Sequence, residues 1–160
     1  MSSQTDTIEL SPGESTVPTA IAWLNAIATR RHWPPSLTFA LTISLDEALT
    51  NIMLYAFRKT GCTNLDHRMN DGVTPCTICV SCEVLSTHIQ LRIIDTGHPY
   101  DPTQTAIAPL PQSVERASIG GHGLRLMRHY LSRLHYERRD RKNHLTLIIN
   151  VPPHAAPFPA

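Results

Sequence analysis

The stretch "ASIGGHGLRLMRHY", residues 117–130, places three glycines directly before an apolar run with helical spacing. The whole chain has only seven glycines, so their clustering here needs a reason. Glycine has no Cβ, and its backbone N–H groups can therefore come close to a phosphate at the start of a helix. Glycine-rich turns also precede many ordinary helices, and this stretch alone does not decide between the two interpretations.

The composition predicts one globular domain. A chain of 160 residues, 41% of them hydrophobic, is long enough for a core between two packed layers. Its net charge of +1 gives no overall field that would attract nucleic acid or an anionic membrane. The polar start "MSSQTDTIELSPGES" lacks the apolar segment of a signal peptide. We therefore expect a cytoplasmic protein, with no direct nucleic-acid or membrane partner, whose four cysteines are free thiols.

The periodicity of apolar residues predicts helices and antiparallel strands. We predict strands at residues 5–11, 76–85, 88–95 and 145–151, and helices at residues 15–31, 36–57 and 124–134. This pattern is typical of an α+β fold, a two-layer α/β sandwich with a mostly antiparallel sheet and helices on one face. The charge run "ERRDRKN" (137–143) is interpreted as a solvated turn.

Two segments lack a clear period. Residues 98–119 contain four prolines, and so long a segment inside a compact domain is often a lid or a binding loop. Residues 152–160 form a Pro-rich tail that cannot continue a sheet. The predicted domain therefore covers residues 1–151.

The second predicted helix carries two unusual polar residues. Across residues 37–57 only Asp46 and Glu47 are charged, which indicates a helix that is buried on most sides. Glu47 and Asn51 lie four residues apart and therefore on one face. A carboxylate beside an amide suits a magnesium–phosphate complex, because oxygen ligands bind the cation while the carboxylate handles a proton. Alternatively, Glu47 reaches an exposed edge and Asn51 bonds to a neighbouring carbonyl.

A third polar feature ends an apolar strand in "IIDTGHPYDP" (93–102). Asp95 could accept a hydrogen bond from an exocyclic amino group, and Gly97 would let a flat ring approach the backbone. An ordinary Asp-x-Gly turn explains the same residues.

Taken in chain order, E-x-x-x-N, D-x-G, a Pro-rich segment and G-G-x-G-L-x-L-M resemble the ATP-binding (Bergerat) fold of the GHKL superfamily. Three stretches, "LDEALTNIMLYAF", "RIIDTGHPYDP" and "GGHGLRLMRHYLSRLHYE", resemble the anti-sigma-factor serine kinases (RsbW-like proteins). The resemblance extends from about Thr5 to Val151. It implies an ATP- and magnesium-dependent protein kinase that phosphorylates and sequesters a partner, with residues 98–119 as the ATP lid.

The resemblance also implies roles for individual residues. Glu47 would be the general base that takes the proton of an acceptor serine, and Asn51 would bind the magnesium ion. Asp95 would accept the adenine amino group, Gly97 would let the base lie against the backbone, and Thr146 would lie near the adenine.

The glycine-rich stretch takes the phosphate-binding role in the same resemblance. Gly121, Gly123 and the N–H of Leu124 would hold phosphate oxygens at the start of a helix. A sigma factor and an anti-sigma antagonist would be the protein partners, and a homodimer the assembly.

One departure from the family favours a different function. Three and four positions after the motif asparagine, the family commonly has a basic residue and a histidine, where this chain has Leu54 and Tyr55. A charge that could steady a phosphate is missing, which favours a nucleotide-binding interaction module with little or no kinase activity.

The cysteines allow a second alternative, a thiol-ligated metal or redox protein. "CTICVSC" (76–82) has C-x2-C-x2-C spacing, with Cys62 and His67 upstream. The same run reads as a strand, in which Cys79 would face away from Cys76 and Cys82, and buried structural thiols also explain the pattern.

Overall fold

The computed structural model describes residues 5–58, 62, 68–69, 72, 74–104 and 122–151. Within these residues, five strands form one antiparallel sheet in the order β1-β2-β3-β5-β4. The strands are β1 (Thr5–Leu10), β2 (Ile78–Val84), β3 (His88–Asp95), β4 (Arg133–Arg139) and β5 (Lys142–Asn150). The connection between β3 and β5 passes through a helix and β4, so that the last strand pairs between two earlier ones.

Three helices complete the described fold: α1 (Thr16–Arg30), α2 (Pro35–Asn51) and α3 (His122–Tyr130). Proline at the first position of α2 suits a helix start, since its missing N–H would have no intrahelical partner there. After α2 the helix continues as a π-helical segment, Ile52–Phe57. A 3-10 turn, Pro102–Gln104, follows β3.

Buried and more exposed side chains alternate along the central strands, and the buried set marks the face of the sheet that forms the core. The fully buried side chains of the three central strands come from alternate positions and face the helices: Ile78, Val80, Cys82, Ile89, Leu91, Ile93 and Leu147. The leucines Leu41, Leu45 and Leu49 of α2 are also fully buried. The predicted α+β sandwich, with an antiparallel sheet and helices on one face, is confirmed.

Helix α2 is apolar because it is the central helix of the layer. It contacts both α1 and α3. Together with the π-helical segment it spans 23 residues, enough to cross a membrane by length and composition alone. In this fold one side of the helix packs into the core through Leu41, Leu45 and Leu49, while Phe39, Leu54 and Tyr55 are exposed.

The charge run at residues 137–143 contains the predicted turn, but the turn is shorter than the run. Its first part belongs to β4, and the turn itself consists of Asp140 and Arg141, both with positive φ (51° and 62°). Two such residues are the connection that a tight hairpin requires. Helix α3 ends at Tyr130, before the predicted residue 134, because the chain must turn into this strand.

The expectation of four free thiols is wrong for two cysteines. Cys62 and Cys76 form a disulfide, while Cys79 and Cys82 are free. The bond joins the region after the π-helical segment to the residues just before β2.

Several predicted features lie outside the described residues. They include most of the lid at residues 98–119, Gly121, and the tail at residues 152–160.

Candidate functional site

A pocket lies between the end of α2 and the sheet. Its lining comes from α2, the start of the π-helical segment, the end of β3, the segment after β3, and strands β4 and β5: Ala48, Asn51, Ile52, Asp95, Tyr100, Pro102, Tyr136, Asn143 and Leu145. The enclosed volume is about 10 Å³, close to what one water molecule needs. A larger ligand can therefore enter only after part of the lining has moved. Tyr100 belongs to the loop after β3 and stacks on exposed Tyr55, with 4.8 Å between the ring centroids.

Asp95 is the acidic group of the pocket and is 1% exposed. Its Oδ1 accepts hydrogen bonds from the Gly97 N–H (2.9 Å) and from Asn143 Nδ2 (2.8 Å). Burial raises the pKa of Asp95 to about 6, although the hydrogen bonds from Asn143 and Gly97 and the charge of Arg138 oppose the shift. Both of these hydrogen bonds go to one oxygen, so Oδ2 is the oxygen left for a ligand that donates.

Asn143 is buried and uses its whole hydrogen-bonding capacity. Its Nδ2 donates to Asp95 Oδ1 and to the His98 carbonyl, both at 2.8 Å. Its Oδ1 accepts from the Tyr136 hydroxyl (2.7 Å) and from a guanidinium nitrogen of Arg138 (2.8 Å). One amide therefore links three segments of the chain around the pocket.

Gly97 is required for close packing. A Cβ at this position would lie 2.7 Å from the Ala56 Cβ, in the π-helical segment. The next residue, His98, donates its N–H to the Ala56 carbonyl (2.8 Å), and Arg138 donates to the Gly97 carbonyl (2.8 Å). The glycine predicted to admit a flat ring thus also allows the strand end to approach the helix.

Glu47 and Asn51 lie one turn apart on the same face of α2. Asn51 contacts the pocket, whereas Glu47 contacts the start of α3. Asn51 is 8% exposed and lines the pocket with Asp95. The half-buried Glu47 carboxyl group lies against Gly123 in the first turn of α3, where a Cβ would overlap it. The structure thus brings the predicted base to the glycine-rich motif.

The start of α3 offers backbone donors beside this carboxylate. The first N–H groups of a helix have no intrahelical partner, and those of Gly123 and Leu124 lie in this turn. The Leu124 side chain is buried in the core and fixes the helix start.

Known sequences match nearly the whole of this chain. The sequence profile of the histidine kinase-like ATPase domain matches residues 10–149. The chain belongs to the histidine kinase-like ATPase family. It is similar to the serine/threonine-protein kinase BtrW of Bordetella bronchiseptica, with 44% identity over 147 residues, which cover 92% of this chain and 94% of the relative.

Thr146 is the one predicted site residue within the described residues that the structure places elsewhere. It lies on β5 opposite Arg92 and His135, on the sheet face away from the helices. Side chains alternate along a strand, so Leu145 and Asn143 face the pocket of this ATPase domain and Thr146 cannot.

The sequence analysis missed four residues around the pocket: Tyr100, Tyr136, Arg138 and Asn143. Asn143 pairs directly with Asp95 across β5 and β3. That pairing follows from the strand order, which local patterns did not reveal. Arg138 was not predicted because it lies in the charge run at residues 137–143, and Tyr136 directly precedes that run.

The described part of the chain contains no metal site of the kind that the cysteine alternative requires. No group of three metal-ligating side chains occurs there. Burial raises the pKa of Cys82 to about 12 and also raises the pKa of Cys79, which disfavours the thiolate that a metal needs.

Proposed function

We propose that this chain is an ATP- and magnesium-dependent protein serine kinase that phosphorylates and sequesters a regulatory protein partner. The observation that carries the proposal is the meeting of Glu47 with Gly123, on the same helix face as Asn51 and the Asp95 pocket. Membership in the ATPase family and the similarity to a serine/threonine-protein kinase support it.

Asp95 would recognise the adenine. Its ionised Oδ2 would accept a hydrogen bond from the exocyclic amino group, while Oδ1 stays bonded to the protein. The base would enter beside Leu145 and Ile52, which supply apolar contact. Since the pocket is nearly closed, binding would require Tyr100 to move.

Asn51 would hold the magnesium ion. Its amide oxygen is a hard ligand that a cation bound to phosphates would use, and Asn51 lines the same pocket as Asp95. The ion would supply neutralisation of the phosphate charge.

Glu47 would act on the second substrate. It would accept the proton of a serine hydroxyl as that oxygen forms a bond to the γ-phosphorus and the bond to the β-phosphate oxygen breaks, releasing ADP. The backbone N–H groups of Gly123 and Leu124 would hold phosphate oxygens through the transfer. The glycine at position 123 would keep this region open to both the carboxylate and the phosphates.

The wider regulatory role follows the resemblance to anti-sigma-factor kinases. The partners would be a sigma factor and its antagonist, the assembly a homodimer, and the compartment the cytoplasm. Residues 98–119 would close over the nucleotide, and Gly121 would contact a phosphate.

Calorimetric titration of ATP with and without magnesium tests the nucleotide site. We expect wild type to bind ATP more tightly with magnesium, and Asn51→Ala to lose most of this magnesium dependence. Asn25→Ala, an exposed asparagine on α1, is the matched control. Absence of ATP binding by folded wild type would overturn the proposal.

A nucleotide-binding interaction module without kinase activity is the second candidate. The observation in its favour is that Leu54 and Tyr55 are exposed, at 40% and 48%, and carry no charge toward the phosphates. Single-turnover transfer of labelled phosphate to a candidate antagonist, compared with its serine-to-alanine variant, separates the two. ATP binding without transfer would favour the module.

A further inference from the structure

Asn143 is the most heavily bonded side chain of the pocket, and no motif of the sequence accounts for it. It is 2% exposed and makes four hydrogen bonds of 2.7–2.8 Å. A buried amide that served packing alone would need no such alignment with the one carboxylate of the pocket. Two of its bonds converge on the ligand-facing end of β3, at Asp95 and at the His98 carbonyl.

The direction of these bonds matters for recognition. Asn143 donates to Asp95, so the carboxylate oxygen beside it must accept, and the Gly97 N–H donates to the same oxygen. Two donors on Oδ1 fix the rotation of the carboxylate about its last bond. Oδ2 then presents a pure acceptor at a defined place in the pocket.

Two residues of β4 fix the orientation of the Asn143 side-chain amide. The Tyr136 hydroxyl and Arg138 both donate to Oδ1 of the amide, which excludes the flipped arrangement in which that oxygen would meet Asp95. Arg138 has no alternative to donating, because a guanidinium carries no acceptor. Charge on β4 therefore determines which end of Asn143 faces the carboxylate on β3.

We propose that Asn143 is a positioning residue that sets the base selectivity of the nucleotide pocket by fixing Asp95 as an acceptor. The inference rests on the proposed ATP binding. Adenine presents an amino donor on the edge where guanine presents a carbonyl acceptor. A fixed acceptor in the pocket accepts a hydrogen bond from the adenine amino group and repels the guanine carbonyl oxygen. A carboxyl group that can rotate distinguishes less between adenine and guanine.

The test compares the affinities for ATP and GTP in wild type and in Asn143→Ala, measured by calorimetry with magnesium. We expect the ratio of the two affinities to fall about tenfold or more in the variant, since it loses a charge-assisted hydrogen bond at the discriminating group. Asn150→Ala, an exposed asparagine at the end of the same strand, should keep the wild-type ratio.

The ratio of ATP affinity to GTP affinity distinguishes a positioning role of Asn143 from a general loss of pocket structure. If Asn143→Ala weakens ATP and GTP binding by the same factor, or changes neither, the inference is overturned. Should that variant not fold, Arg138→Met removes the donor that cannot act as an acceptor, at an exposed position where the substitution should not disturb the fold. A ratio that falls severalfold there supports the inference, and an unchanged ratio overturns it.

The outcome for wild type distinguishes this inference from the proposed function. A wild type that prefers ATP, with an Asn143→Ala variant that prefers it equally, overturns the role of Asn143 alone. A wild type that binds neither nucleotide overturns the proposed function and this inference with it.

Discussion

The two ends of the candidate site are built in different ways. At the base end, Asp95, Asn143 and Arg138 come from three adjacent strands and are joined by hydrogen bonds of 2.8 Å. At the phosphate end, Glu47 and Gly123 come from two helices and meet by close contact. Strands within one sheet are held by their ladder, whereas two packed helices can shift. The hydrogen-bonded carboxylate of the proposed base end is therefore held in place before any ligand enters, and the proposed phosphate end depends on how α2 and α3 pack.

The sharpest test of the phosphate end is Glu47→Gln. We expect phosphoryl transfer to fall about 10²–10⁴-fold, because the amide cannot take the serine proton, while ATP affinity changes little. Single-turnover kinetics and calorimetry on the same samples measure the two quantities. Asp46→Asn, at the exposed neighbouring position, is the matched control. Loss of ATP binding in step with transfer would show that Glu47 binds nucleotide instead.

The base end is tested by Asp95→Asn. The substitution turns one acceptor into a donor facing the adenine amino group, so ATP should bind about 10–100-fold more weakly, as for a lost hydrogen bond to a charged group. Asp140→Asn, in the exposed β4–β5 turn, should bind like wild type. Unchanged affinity in the Asp95 variant would remove this residue from the site.

The contact between the helices is tested by a double-mutant cycle. Gly123→Ala should lower the free energy of unfolding by about 1–3 kcal/mol, because the new Cβ overlaps the Glu47 carboxyl group. In a Glu47→Ala background the same change should cost much less. Denaturant unfolding of the four proteins gives the coupling. Equal costs in both backgrounds would mean that the two residues do not touch in solution.

The smallest expected effect is the pH dependence of binding. Asp95 has a pKa of about 6 in the fold, and the proposed hydrogen bond from the adenine amino group would need the ionised form. ATP affinity should therefore fall as pH drops through 6, by about tenfold between pH 7.5 and pH 5. Asp95→Asn should show only the pH dependence of ATP itself. Parallel curves for the two proteins would contradict the assignment.

The raised pKa of Asp95 affects the stability of the fold in the opposite direction: low pH favours folding at this residue, although it weakens the proposed ATP binding. The folded pKa lies above the ordinary value of 3.8, so ionisation of Asp95 is disfavoured in the fold. Its contribution to stability is consequently lost as pH rises from about 4 to about 6. Binding and stability thus respond oppositely to acid at this one residue.

Short spacings in the sequence predicted which of these side chains lie together, while the roles of the residues stay predictions. Glu47 and Asn51 lie one turn apart on α2, and Gly97 follows the end of β3 by two residues and donates its N–H to Asp95. Thr146 was placed wrongly because a shift of one residue on a strand moves a side chain to the other face.

The rest depended on pairings that no short pattern encodes. Asn143 was missed because its importance comes from lying opposite Asp95, on a strand 48 residues further along the chain. The π-helical segment was predicted as part of an ordinary helix, since its apolar residues fit either helix. Strand β4 was hidden because most of its side chains are polar and only Leu134 and Tyr136 pack toward the core.

The composition of β4 has a consequence for the protein in concentrated solution. β4 is an edge of the sheet, and four of its seven residues are charged. An exposed edge invites the strand of another molecule, and growth from such edges leads to aggregates. A strand added here would bring its backbone alongside arginines whose desolvation opposes the pairing. The charged residues that make β4 hard to predict from sequence therefore also protect the protein against polymerisation through this edge.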